Sequence, residues 1–179
     1  MSKKNNIVVL VAVVLLYSCA SIPPNAEPVQ HFEMDRYLGN WYEIARLDHK
    51  QERDLNNVTA TYSLNESGTI RVRNSGYNYV KGKWESATGK AKFRDDQRIG
   101  ALKVSFFGPF YSGYNVIALD KDYQYALVAG ESLKYLWILS RTTAVPDSIR
   151  ESYLQKAEQI GYDTSQLIWV AHDREEPAH

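Results

Sequence analysis

Seven consecutive residues, Val58-Thr59-Ala60-Thr61-Tyr62-Ser63-Leu64, alternate so that Val58, Ala60, Tyr62 and Leu64 share one side of an extended chain and Thr59, Thr61 and Ser63 the other. A period of two marks a half-buried strand, because successive side chains in a strand point to opposite faces. Runs of this β-rich kind recur eight times, approximately at 41–47, 58–64, 69–76, 82–93, 101–107, 113–119, 125–129 and 135–141, with turn residues between them. Short strands at this spacing predict an all-β sandwich or barrel. Several later runs are apolar on both faces, as in Leu136 and Ile138 against Trp137 and Leu139, so their outer side needs a cover. One amphipathic helix can supply it. Pro146-Asp147-Ser148 opens that helix, Ile149, Tyr153, Ala157 and Ile160 recur at near-helical spacing, and Gly161 closes it. A short last strand follows at 167–170. Eight antiparallel strands with short connections are most simply an eight-stranded up-and-down β-barrel, which removes exposed sheet edges. A sandwich fits the pattern as well.

At 179 residues the chain suits one domain able to bury its own core. Its 21 basic and 21 acidic residues cancel, which leaves no electrostatic footprint for nucleic acid. The single cysteine, Cys19, excludes an intrachain disulfide and the clustered thiolates of zinc or iron–sulfur sites, so neither metal nor cofactor is expected. Thirteen tyrosines, four tryptophans and five phenylalanines favour strands and apolar pockets.

Residues 1–18 read as a secretory signal. Lys3 and Lys4 precede an apolar run at 7–16 that is too short to span a bilayer as a helix, and small residues follow. Leu16-Tyr17-Ser18-Cys19 resembles the bacterial lipobox, although Tyr17 is larger than usual there. The resemblance implies cleavage before Cys19 and acylation of its sulfur and new amine. Two or more acyl chains give stable membrane attachment, at ~0.8 kcal/mol per buried CH₂. Ala20 after the cysteine implies the outer membrane, by similarity to enterobacterial sorting rules. Residues 19–30 carry Pro23, Pro24 and Pro28 without apolar periodicity and read as an extended tether, with residues 31–179 as the folded domain.

Gly39-Asn40-Trp41-Tyr42-Glu43-Ile44-Ala45-Arg46 resembles the Gly-x-Trp signature at the first strand of lipocalins. The stretches KVSFFGPFYSGYNVIAL (103–119) and YLWILSRT (135–142) are similar to the bacterial members of that family, and the resemblance extends from about Phe32 to Val170. An eight-strand meander brings Trp41, on the first strand, and Arg141, at the end of the eighth, to the same end. The resemblance implies a guanidinium over the indole, closing that end. The sequence 120–123, DKDY, resembles the family's Thr-Asp-Tyr motif, with Lys121 in place of Thr. Gly39, Trp41, Asp122, Tyr123 and Arg141 are therefore expected to be structural.

Parity places the loops 48–57, 77–81, 108–112 and 130–134 at the open end. Phe106, Phe107, Phe110 and Tyr111 surround Gly108-Pro109 at this mouth, and Tyr62, Tyr114, Val116, Trp137 and Leu139 are candidate wall residues. Each of the four mouth aromatics could equally serve only to pack that hairpin, and where both faces of a strand are apolar the pattern leaves open which one points inward. The resemblance implies an envelope protein that binds a fatty acid, lysophospholipid or phospholipid, with Lys50, Arg53, Arg71 and Arg73 as candidate head-group contacts. Two other readings stand beside it. One is a structural or protein-binding lipoprotein with a filled barrel. The other is a lipid-modifying enzyme, for which His49 beside Asp48 is the main foothold and no Gly-x-Ser-x-Gly motif is present. Whether two barrels associate as a homodimer is open.

Overall fold

The computed structural model describes residues 21–66 and 68–177, so the signal segment and Cys19 lie outside the described residues. Strands β1 (Gly39–Leu47), β2 (Leu55–Leu64), β3 (Ile70–Asn78), β4 (Lys83–Phe93), β5 (Ala101–Ser105), β6 (Ser112–Leu119), β7 (Tyr125–Ala129) and β8 (Leu136–Ser140) each pair antiparallel with the next. β1 also pairs with β8, so the sheet closes into a barrel and its edges vanish. The eight runs of the sequence are these eight strands. The run at 101–107 stops at Ser105, where the chain turns through Phe106 to Tyr111 into β6. Leu64, on the same side as the buried Tyr62 by alternation, is 45% exposed at the last residue of β2.

Two departures from simple pairing occur in β1. Its first half pairs with β2 as far as Tyr42↔Thr59, whereas Ala45, Arg46 and Leu47 pair with β9 (Leu167–Trp169). Against β8 the register shifts between Glu43 and Ala45, which inserts Ile44 as a bulge. A bulge breaks the period of two. Glu43, opposite Leu139, and Arg46, opposite Trp137, then face the same way although three residues apart.

The buried residues form two layers. Inside the barrel, Trp41, Tyr62, Ile70, Val72, Ala91, Leu102, Val116, Val128 and Leu139 pack as one cluster. Outside it, Ile44, Ala45, Ile117, Leu127, Leu136 and Ile138 pack against Tyr153, Ala157 and Ile160 of helix α2 (Asp147–Ile160). The helix thus covers the strands that are apolar on both faces. Each fully buried aliphatic side chain contributes about 1.5–3 kcal/mol. Gly161 ends α2 at φ +113°, and its N–H and that of Tyr162 bond to the Ala157 carbonyl, a left-handed stop that suits glycine.

Residues 21–30 differ from the expected extended tether. Ile22 and Ala26 pack into the outer layer, Val29 exchanges backbone bonds with Val116 and Gly100, and Gln30 bridges Ile99. The prolines prevent regular structure without preventing apolar side chains from docking on the wall. A helical turn absent from the sequence reading, α1 (Met34–Tyr37), then carries Tyr37 under the barrel.

Candidate functional site

One end of the barrel is shut. Trp41 is fully buried and donates its indole N–H to the Tyr37 carbonyl at 2.8 Å. Arg141 lies over the Trp41 ring, 3.8 Å from its centroid, and donates to the carbonyls of Asn40, Arg36 and Tyr123. Gly39 has φ +92°, a conformation that strains other residues, beside this guanidinium. The Tyr123 hydroxyl accepts the Glu33 N–H at 2.9 Å while the Arg36 guanidinium covers its ring.

The carboxylate that orders the connection before β7 is Asp120, in place of the expected Asp122. Asp120 accepts the N–H groups of Asp122, Gln124 and Tyr125, whereas the exposed Asp122 side chain pairs, among the described residues, with Lys121. A side chain at the start of a turn can reach the N–H groups that follow it, and Asp120 occupies that place.

Polar groups enter the barrel interior in two sets. The Tyr62 hydroxyl donates to that of Tyr114 at 2.8 Å, and Tyr114 shares a second bond with Tyr37 at 2.7 Å. Burial pushes all three phenols above the ordinary tyrosine range. Nearer the open end Arg46, 2% exposed, donates to Glu43 Oε1 at 2.8 Å and to the carbonyls of Glu52 and Leu55. The loop between β1 and β2 folds inward so that Glu52 Oε2 meets His49 Nε2 at 2.7 Å and accepts from Trp137 Nε1 at 3.0 Å.

The two buried carboxyls are not equivalent. Burial, reinforced by the charge of Glu52, raises Glu43 well above the carboxylate range, and Arg46 offsets only part of this. Burial would raise Glu52 too, but its bonds from His49 and Trp137 and the charge of Arg46 hold it below the ordinary value. Glu43 is therefore the harder of the two to ionise.

Tyr62, Tyr114, Val116, Leu139, Phe106 and Trp137 belong to the one interior cluster. Phe107 and Phe110 stand away from it on the tip between β5 and β6, 77% and 78% exposed. Tyr111 lies against the exposed Lys92 and Lys90 of β4, with Lys92 Nζ 4.8 Å from its centroid, and so takes up the outer face of the wall. The basic residues singled out from sequence also face outward: Arg53 pairs with Asp48, Arg73 with Glu176, and Arg71 and Lys50 are exposed. The interior cation is Arg46. Glu43, Arg46 and Glu52 were missed, although a Glu and an Arg inside an otherwise apolar strand were a visible signal. A polar crevice of about 220 Å³ among Gln30, Glu33, Arg36, Asp120 and Lys121 lies outside the closed end and is separate from this interior.

A closed eight-stranded antiparallel barrel, plugged at one end, with an apolar interior cluster and a small buried polar set, is the architecture of a class of proteins that hold small apolar molecules. A lipocalin-like domain model matches residues 32–172, and the chain belongs to the lipocalin family. It is 51% identical over 161 residues to the outer membrane lipoprotein Blc of Escherichia coli, covering 89% of this chain and 91% of that protein. The protein of the same name from Vibrio cholerae is 48% identical over 158 residues, covering 88% and 92%. Among solved structures, insecticyanin from the tobacco hornworm Manduca sexta has the same fold, with a TM-score of 0.67 at 21% identity over 83% of this chain and 85% of that one.

Proposed function

We propose that this chain binds a lipid-like molecule, a fatty acid, lysophospholipid or phospholipid, for storage or transport in the bacterial cell envelope, and that it catalyses nothing. The observation that carries the reading is the closed barrel sealed at the Trp41–Arg141 end, whose interior cluster of Val72, Leu102, Val116, Val128 and Leu139 shares the barrel with the buried Glu43–Arg46 pair and the tyrosine hydroxyls. Burial of an acyl chain supplies affinity at ~0.8 kcal/mol per methylene. The few polar groups fix the orientation of its head. The likeness to relatives named as outer membrane lipoproteins supports outer-membrane attachment through an acylated Cys19. His49 directs its ring nitrogens at Gln51 and Glu52, a structural use of the side chain that supports binding without turnover.

The test is extraction of the anchored protein from envelopes, mass spectrometry of its lipids, and titration of lipid-stripped protein with lysophosphatidylethanolamine and with palmitate. Co-purifying lipid and a change in tryptophan fluorescence that is lost in Trp137→Phe are expected. Absence of bound lipid together with an unchanged spectrum would remove the reading.

A further inference from the structure

We propose that the outer wall of β3, β4 and β5 is a docking surface for anionic phospholipid headgroups, so that the barrel lies on its side against the membrane that holds its N-terminus. The orientation rests on the reading of Cys19 as acylated.

Helix α2 covers the outer side of β6, β7, β8 and β1, and β4 lies across the closed sheet from β8. The uncovered wall is basic. Arg71 is the cross-strand partner of Lys90, and Lys92 is that of Lys103. Their sequence neighbours Ile70, Val72, Ala91, Leu102 and Val104 pack inside the barrel, so alternation turns all four cations outward. Among the described residues no carboxylate forms an ion pair with any of the four. The flanking cations are paired, Arg73 with Glu176 and Arg94 with Asp95, which sets the limits of the row. Like charges directly opposite each other destabilise a sheet, and here two such pairs adjoin. The chain has 21 acidic residues for its 21 basic ones, so an unneutralised row reflects placement and not composition. The Tyr111 ring lies 4.8 Å from Lys92 Nζ and 6.0 Å from Lys90 Nζ, which adds an amphipathic aromatic of the kind that sits at headgroup level.

The course of the N-terminal segment selects the occupant. Ser21 lies on the outer face of β6, where its carbonyl accepts from Asn115 Nδ2 at 2.9 Å and its hydroxyl accepts from Arg94. The same carbonyl would collide with any side chain at Gly113, and Gly113 is the cross-strand partner of Lys103. The chain therefore leaves the barrel at the margin of the basic row. Cys19 is two residues further, a reach of at most ~7 Å. The row ends on β3, three strand spacings from β6, or ~14 Å. Acyl chains on Cys19 thus bring headgroups to the side of the barrel on which the four cations stand. A basic surface beside a lipid anchor attracts anionic headgroups within about a Debye length and supplies a second signal for stable attachment. The consequence is a barrel whose axis runs along the bilayer surface, with its mouth clear of the headgroups.

The test uses the anchored protein made from the full chain, whose only native cysteine is Cys19. A fluorophore is attached in turn to Thr88→Cys on the basic wall, Gln155→Cys on α2 and Phe110→Cys at the mouth, all exposed positions. The labelled proteins are placed in phosphatidylcholine–phosphatidylglycerol vesicles that contain a lipid with a spin-labelled headgroup as quencher. Quenching at 88 about threefold or more stronger than at 155 and 110 is expected, with parity in phosphatidylcholine alone. The combined variant Lys90→Glu, Lys92→Glu and Lys103→Glu, with its fold checked by circular dichroism, should also give parity. Equal quenching at the three positions with phosphatidylglycerol present, or quenching strongest at 110, overturns the orientation alone when the N-terminal peptide carries acyl groups by mass. A preference for 88 that persists in phosphatidylcholine overturns the recognition of anionic headgroups. An unacylated N-terminal peptide overturns the reading of Cys19 and removes the orientation with it.

Discussion

The Arg141 guanidinium lies 3.8 Å from the centroid of the buried Trp41 ring and reaches three backbone carbonyls, those of Arg36, Asn40 and Tyr123. It joins the first strand, the eighth and the turn before the seventh, and so ties both ends of the meander together. A cation over an indole is worth ~0.5–2 kcal/mol, and charged donors to carbonyls add to it. Arg141→Ala is expected to cost about 2–4 kcal/mol, lowering Tm by roughly 5–15 °C for a domain of this size. Lysine cannot reproduce the planar fork, so Arg141→Lys should recover less than half. Thermal unfolding followed by circular dichroism measures both.

Asp120 and Asp122 separate a structural carboxylate from a solvated one. Asp120 accepts three backbone N–H groups, and Asp120→Ala leaves them without their acceptor, at about 1–3 kcal/mol. Asp122→Ala removes only a bond to the exposed Lys121 and should stay within about 0.5 kcal/mol of the parent. Urea unfolding of the two variants tests the ranking, and equal losses would contradict it.

The buried carboxyl pair predicts a pH dependence with a definite sign. Glu43 binds its proton more tightly folded than unfolded, so its contribution to stability is complete below the unfolded value of about 4.5 and is lost as pH rises towards its raised folded value. Glu43→Gln keeps an acceptor for Arg46 and removes the titration. Relative to the parent, its stability is expected to climb by up to ~1.4 kcal/mol per pH unit above that point. Tm measured from pH 5 to 9 for both proteins would reveal this, and a constant gap across the range would place the proton elsewhere.

Tyr114 is the hub of the tyrosine chain, bonded to both Tyr62 and Tyr37. Tyr114→Phe strands two buried hydroxyls, each worth about 1–3 kcal/mol when unsatisfied, whereas Tyr62→Phe leaves the bond between Tyr37 and Tyr114 in place. The first variant should therefore be the less stable by chemical denaturation.

The strand order and the covering helix were legible in advance because each depends on a local rule, a period of two or a period near four, while the Trp41–Arg141 plug was implied by the resemblance to lipocalins, with which the parity of a meander agrees. The candidates Tyr62, Tyr114, Val116, Trp137 and Leu139 lie in the interior cluster, although where both faces of a strand are apolar alternation alone left the inward face open. Where the reading departed from the structure, the local rule was interrupted. Alternation from Trp41 puts Glu43 inward with it and Arg46 outward, but the Ile44 bulge turns Arg46 inward as well. Tyr111 belongs by composition to the aromatic cluster at the mouth, yet the turn delivers it to the lysines outside.

The sequence by itself determined a meander of eight short β-rich runs and the need for a helix on the sheet's outer side, because apolar faces must be buried; a sandwich fitted that pattern too, and the sealed end was implied by the resemblance to lipocalins. Only the tertiary structure decided the chemistry of the interior. One inserted residue in β1 and the inward fold of the loop after it bring Glu43, Arg46 and Glu52 together, and once out of water those charges are stable only by pairing with each other and with the backbone.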